Sequence, residues 1–181
     1  MKANFEKELY SWGKSIIFAL ILVMVCRHFI FSPIAVKGES MSPTLEDKNK
    51  VVISKLSSVN RFDIVVLQAP DRDEYSMKRV IGMPGDRVQV KDDILYINDK
   101  AYKEPYVKKN YSNILTDKLT GDFELQDFTG EKTVPEGFYF ILGDNRWKSR
   151  DSREYGFISA KSIIGEVKFQ YYPLQDIGVP K

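Results

Sequence analysis

Hydrophobic and polar positions divide the chain into two unlike stretches. Ser15 to Phe31 is nearly all apolar, and the run from Ile16 to Cys26 is unbroken. It has no polar stripe, so it reads as a helix that is apolar all round rather than amphipathic. As a helix, the Ser15–Phe31 stretch spans roughly 26 Å against a ~30 Å hydrocarbon core. Arg27 lies near one end, where a long side chain reaches the headgroups at modest cost. Tyr10 and Trp12 suit an interfacial aromatic belt, and Pro33 reads as the stop. The pattern predicts a short segment over 1–14, an uncleaved membrane anchor over 15–32 and a separate domain over 33–181. Two alternatives stay open. A cleaved leader would show small residues in an A-x-A-like pattern where Phe31-Ser32-Pro33-Ile34 stands, and a buried core helix would carry a polar stripe. Lys2, Lys7 and Lys14 precede the run, and Arg27, Lys37, Lys48 and Lys50 follow it, so the charge count does not set its orientation.

Past about residue 35 the period shortens to that of strands. Val51-Val52-Ile53 and Ile64-Val65-Val66-Leu67 are β-branched runs. Tyr75 to Val90 reads as a strand pair broken at Pro84-Gly85, which suits the centre of a type II turn. Val88–Val90, Ile94–Ile97 and Ala101-Tyr102 read as hairpin strands, with Lys91-Asp92-Asp93 and Asn98-Asp99 as turns. Tyr139–Leu142 and Val167–Tyr172 supply late strands, and Ser159–Ile164 a single helical turn. Between about 105 and 135 no period is sustained, and the expectation is a long excursion with one short hairpin. The remaining 146 or so residues are enough for one well-cored domain, mainly β and antiparallel.

Composition narrows the chemistry. The chain has 181 residues, 43% hydrophobic and 29% charged, the mix of a folded protein. Its net charge of +2 gives no argument for nucleic acid. There is one Cys and one His. A disulfide framework and a Cys-rich zinc site are therefore excluded, and any triad through imidazole must use His28. Cys26 and His28 both fall in the apolar run.

The usual nucleophile signatures G-x-S-x-G, S-D-N and K-T-G are absent. S-x-x-K occurs at Ser11–Lys14, ahead of the apolar run, where the lysine reads as interfacial. Three other stretches stand out. In Val36–Leu45, Gly38 and Pro43 bracket Ser40 and present it on a bent segment. A hydroxyl needs a base, and with His28 in the apolar run the base must be Lys, Asp, Glu or Tyr. In Ser76–Asp86, alternation puts Ser76, Lys78 and Val80 on one face and Met77, Arg79 and Ile81 on the other. One of two adjacent cations therefore points to the more buried side. Moving a lysine from ~10.4 to ~8 takes about 3 kcal/mol, within reach of desolvation. In Gly143–Gly156, short acceptors alternate with Arg, so the loop can tie itself together with charge-assisted hydrogen bonds. Each stretch alone also fits a bland reading: a connector, a solvated strand lysine and a charged surface turn.

Taken together and in this order, GESMSPTL at 38–45, KRVIGMPGD at 78–86 and GDNRWKSRDSREYG at 143–156 resemble the bacterial type I signal peptidases, in the compact single-anchor form of bacilli. The resemblance implies a folded antiparallel sheet core with a β-rich protrusion, here assigned to about 105–135, behind one N-terminal transmembrane helix. It implies Ser40 as nucleophile and Lys78 as general base, with Ser149 orienting the lysine amine. Asp144, Arg146, Asp151 and Arg153 align with the polar framework. Some members carry a Ser two residues before the nucleophile; here that position is Gly38, so the oxyanion donors would be backbone N–H groups near Gly38, Ser40 and Met41. The implied substrates are signal-peptide-bearing pre-proteins with small residues at −1 and −3. The implied setting is the plasma membrane, with the N-terminus cytoplasmic, the domain outside and the enzyme monomeric in the lipid bilayer. No metal or cofactor and no nucleic acid are expected. Two rival classes remain: a self-cleaving repressor using the same dyad, and a tethered β-domain that only binds peptides.

Overall fold

The computed structural model describes residues 2–25, 31–70, 74–107 and 118–181. Helix α1 (Lys2–Val25) precedes an antiparallel β domain. Strands β1 (Phe31–Ala35), β2 (Lys50–Ser54), β3 (Ile64–Gln68) and β4 (Tyr75–Gly82) are followed by β5 (Val88–Lys91), β6 (Ile94–Ile97) and β7 (Lys100–Tyr102). The chain then forms β8 (Phe123–Glu124), α2 (Leu125–Thr129), β9 (Phe138–Leu142), α3 (Ser152–Tyr155), β10 (Ile158–Ser159) and β11 (Ile163–Tyr172). A seven-stranded sheet runs β1-β2-β11-β3-β4-β9-β10, and a four-stranded sheet runs β7-β6-β5-β8.

Alternation along β3, β4 and β9 sorts the core. Val65, Leu67, Val80, Ile141 and Ile158 cover one face of the large sheet. On the other face, Ile64, Val66 and Met77 pack under Met41 and Leu45. Ile81, Phe140 and Leu142 meet Val88, Val90, Leu95 and Ile97 of the small sheet. With β4 covered on both sides, both adjacent cations are buried, Lys78 at 2% and Arg79 at 4% exposure. The sequence pattern required only one of them to be.

Three expectations are corrected. The apolar helix does not run to Phe31: α1 is described over Lys2–Val25, and Phe31–Ala35 pairs with β2, Pro33 opposite Val52. Proline is tolerated there because β1 is an edge strand. Cys26, Arg27 and His28 lie outside the described residues. Among the described residues no helix is long and apolar enough to cross a membrane. Along α1, the side chains of Ile16, Phe18, Leu20 and Met24 are each more than half exposed.

The second correction concerns Pro84-Gly85. Gly85 has φ +84°, and the Asp86 N–H donates to the Met83 carbonyl, as a type II turn requires. But β4 and β5 do not pair; the turn carries the chain from one sheet to the other. Third, the small sheet is built mostly from 88–102. The 105–135 stretch contributes β8 and α2 among the described residues, and 108–117 lies outside them. The hairpin turns are as expected, with positive φ at Asp92, Asp93, Asn98 and Asp99, the type I′ requirement.

Candidate active site

Ser40 lies in the turn segment after β1, Lys78 in the middle of β4, and the loop after β9 closes over both. The Lys78 Nζ donates to Ser40 Oγ at 2.9 Å, to Ser76 Oγ at 2.7 Å and to the Met77 carbonyl at 3.0 Å. The predicted nucleophile and base, 38 positions apart, are thus in contact. Burial disfavours the charged form of an amine, and an amine must be neutral to accept a proton.

The backbone of Ser40 is held by Asn145. The Asn145 N–H donates to the Ser40 carbonyl at 3.0 Å, and its side-chain amide to the Glu39 carbonyl at 3.0 Å. This close approach needs a glycine at 143. A Cβ there would sit 2.2 Å from Ser149 Oγ and 2.4 Å from the Ser40 carbonyl oxygen. Neither Asn145 nor Gly143 was singled out from the sequence, although both fall inside the third stretch. Gly38 has φ +77°, and its N–H donates to Asp47 Oδ1 at 2.9 Å, which fixes the bend before the nucleophile. The Ser40 N–H meets no acceptor among the described residues. The Met41 side chain turns inward, 1% exposed, into the core beneath the site.

The four framework residues sit in three ion pairs. Asp144 takes a two-pronged bond from Arg79 (2.9 and 2.7 Å) and a third from the Thr44 hydroxyl at 2.6 Å, tying β4, the loop after β9 and the Ser40 turn together. Arg146 donates to Glu104 at 2.5 and 3.2 Å, to Thr120 Oγ1 and to the Gly143 carbonyl. Burial pulls the Arg146 guanidinium down, but the Glu104 carboxylate outweighs it and the net shift is upward. Burial, reinforced by Glu104, also raises the phenol of Tyr106, which donates to Glu104 and stacks under Arg79 at 3.9 Å. Asp151 is fully buried, accepts from the Gly143 N–H and from Arg153, and caps α3. Arg153 also donates to the Arg146 carbonyl at 2.7 Å. Arg79, Glu104 and Tyr106 complete this network, and the sequence stretches did not mark Glu104 or Tyr106.

Ser149 stands against Gly143 with its hydroxyl buried and, among the described residues, without a hydrogen-bond partner. Besides that of Ser40, a hydroxyl that accepts from the Lys78 amine belongs to Ser76. The Ser11–Lys14 match lies on α1, where Lys14 rests over the Tyr10 ring at 4.4 Å.

A cleft of about 220 Å³ opens beside the pair, with Gly38, Ala69 and Ser76 among the small residues lining it. A larger cavity, about 330 Å³, lies on the small sheet around Arg87, Tyr96 and Lys132. No serine stands beside a lysine in its lining, as Ser40 and Lys78 do in the smaller one. No His, Cys, Asp and Glu cluster that could hold a metal occurs among the described residues.

The model of the family "Signal peptidase, peptidase S26" matches residues 9–172. The chain belongs to that family. Its relatives include the Signal peptidase I of Bacillus caldolyticus, 46% identical over 87% of this chain and 88% of that protein. That of Bacillus licheniformis is 41% identical over 96% and 94%. Signal peptidase IB of Staphylococcus aureus (strain Mu50) is 38% identical over 94% and 93%. In three dimensions, a crystal structure of a signal peptidase I from Enterococcus faecalis V583 matches with a TM-score of 0.56 and 41% identity, covering 61% of this chain and 97% of that one. Membership of the S26 family makes the chain a serine peptidase, mainly β as the sequence led one to expect.

Proposed function

We propose that this protein is a membrane-anchored endopeptidase that removes signal peptides from secreted pre-proteins, with Ser40 as nucleophile and Lys78 as general base. The observation that carries the reading is the 2.9 Å contact between the amine of a buried lysine and the hydroxyl of a half-buried serine in an open cleft. The family supplies the substrate class, and a cleft of only about 220 Å³ suits small residues at −1 and −3.

The neutral Lys78 amine takes the proton of Ser40, and the hydroxyl oxygen attacks the scissile carbonyl carbon. The carbonyl π pair moves onto oxygen, where backbone N–H groups such as that of Ser40 stabilise it. Collapse breaks the C–N bond, and the leaving amine takes the proton from the Lys78 ammonium. Water then attacks the acyl-enzyme, giving its proton to Lys78. Ser40 leaves with that proton, and the acid is released. The Asp144, Arg146, Asp151 and Arg153 framework keeps the loop rigid around these atoms.

Anchoring is supported by the exposed apolar side chains of α1 and by further exposed apolar groups on β1 and β11, Phe31, Phe169 and Tyr172. The anchor begins near Ser15 and ends before Phe31. The N-terminus is cytoplasmic and the β domain lies outside. Tethering raises the effective concentration of the catalyst toward a substrate that is itself in the bilayer.

The test is cleavage of a purified pre-protein by the full chain in lipid vesicles. Ser40→Ala and Lys78→Ala should each lose on the order of 10³-fold or more in rate with the thermal midpoint kept. Wild-type activity should decline on acidification, as the amine acquires its proton. Substantial cleavage by either variant sinks the dyad, and peptide binding without cleavage by the wild type favours a binding module.

A further inference from the structure

A tetrahedral lysine nitrogen has three directions left after its bond to carbon. Among the described residues, the Ser40 hydroxyl, the Ser76 hydroxyl and the Met77 carbonyl stand within 3.0 Å of the Lys78 nitrogen. In the neutral amine two of these directions are N–H donors and one is a lone pair. A carbonyl only accepts, so Met77 takes one N–H. The other N–H and the lone pair are divided between two hydroxyls, each able to donate or accept. If the second N–H goes to Ser76, the lone pair faces the Ser40 O–H; if it goes to Ser40, the lone pair faces away from the nucleophile.

Ser76 is placed to take that second N–H. It lies two residues before Lys78 on β4, so both side chains share a face, and its backbone is pinned opposite Leu67 of β3. Its 2.7 Å contact is the shortest of the three. Ser149, in contrast, has a buried hydroxyl with no partner among the described residues. We propose that Ser76 is a positioning residue that aims the lone pair of Lys78 at Ser40, the task the family resemblance gives to Ser149. The inference rests on the dyad reading above and names the residue that orients its base.

The experiment compares the full-length Ser76→Ala, Ser76→Thr, Ser149→Ala and Lys78→Ala chains on one pre-protein in vesicles, across pH. Ser76→Ala should lower kcat about 10- to 100-fold with KM nearly unchanged, because the amine keeps its place but loses its aim. The same variant removes an acceptor that favours the charged amine, so the acid limb of its profile should move to lower pH. A defect that merely loosened the strand would lower the plateau and leave the limb in place. The charged groups lining the cleft, Lys37, Glu39, Glu74, Lys148 and Arg150, are the same in every variant, so a moved limb reports on Ser76. Ser76→Thr keeps the hydroxyl and should restore kcat to within about threefold; this rescue is the readout if the alanine variant is too slow for a profile.

Wild-type kcat and limb in Ser76→Ala overturn the proposal, as does equal loss in the Ala and Thr variants. So does a limb that moves in Ser149→Ala and not in Ser76→Ala. Persistent cleavage by Lys78→Ala overturns the dyad itself, and is told apart from those outcomes by that arm alone.

Discussion

The small sheet buries Val88, Val90, Leu95, Ile97 and Phe123, and none of the polar or charged side chains on its four strands is buried. Around Ser40 the large sheet and its loops bury Lys78, Arg79, Asp144, Asn145, Arg146, Asp151 and Ser152. The first region is held by area removed from water, which tolerates exchange of one apolar group for another. The second is held by charges whose burial is tolerable only while every partner stays in place. A site that must keep a lysine amine dry beside a hydroxyl has to carry such a network, because the loop over it cannot be made of apolar residues alone. Stability in one region and geometry in the other are therefore separable properties of the same domain.

The largest effect that would test this separation is expected from Asp144→Ala. It leaves the Arg79 guanidinium buried without its carboxylate and frees the Thr44 hydroxyl, so about 3–5 kcal/mol of stability should be lost together with most activity. Urea unfolding and a cleavage assay on the folded fraction measure the two losses. If the variant is as stable as wild type, the charged network does not hold the site. Leu95→Ala in the small sheet should cost about 2–5 kcal/mol by leaving a cavity, yet the folded fraction should cleave at the wild-type rate. A changed kcat there would show that the two regions are coupled. Gly85→Ala is the mildest. A Cβ meets nothing within 4 Å at that position, so only the positive φ is penalised, at roughly 1 kcal/mol, with activity unchanged. A loss beyond about 3 kcal/mol would mean the turn between the sheets carries more than backbone conformation.

The same division explains what could be read from the sequence. The hairpins of the small sheet were legible because Asp92-Asp93 and Asn98-Asp99 are residues that accept positive φ between alternating strands. Ser40 and Lys78 were legible as motif residues, and alternation had already put Ser76 on the face of Lys78. The clamp of Glu104 on Arg146 was not, because it joins positions 42 apart that no local pattern links. Pro33 misled for a related reason. A proline after an apolar helix is an ordinary stop, and only the later strand β2 turns its segment into an edge strand. The pairing of β5 with β8, across 35 positions, was hidden in the same way.

The Asn145 amide that holds the backbone before Ser40 comes from 106 positions away along the chain, and the Thr44–Asp144 bond spans 100. Contacts of such separation form late, after the loop between them has been closed. The proposed nucleophile and its base are brought together by parts of the chain that meet only when the sheet is complete. A half-made molecule has the residues of a protease without the arrangement of one. The completed sheet is then what turns a set of residues into a site.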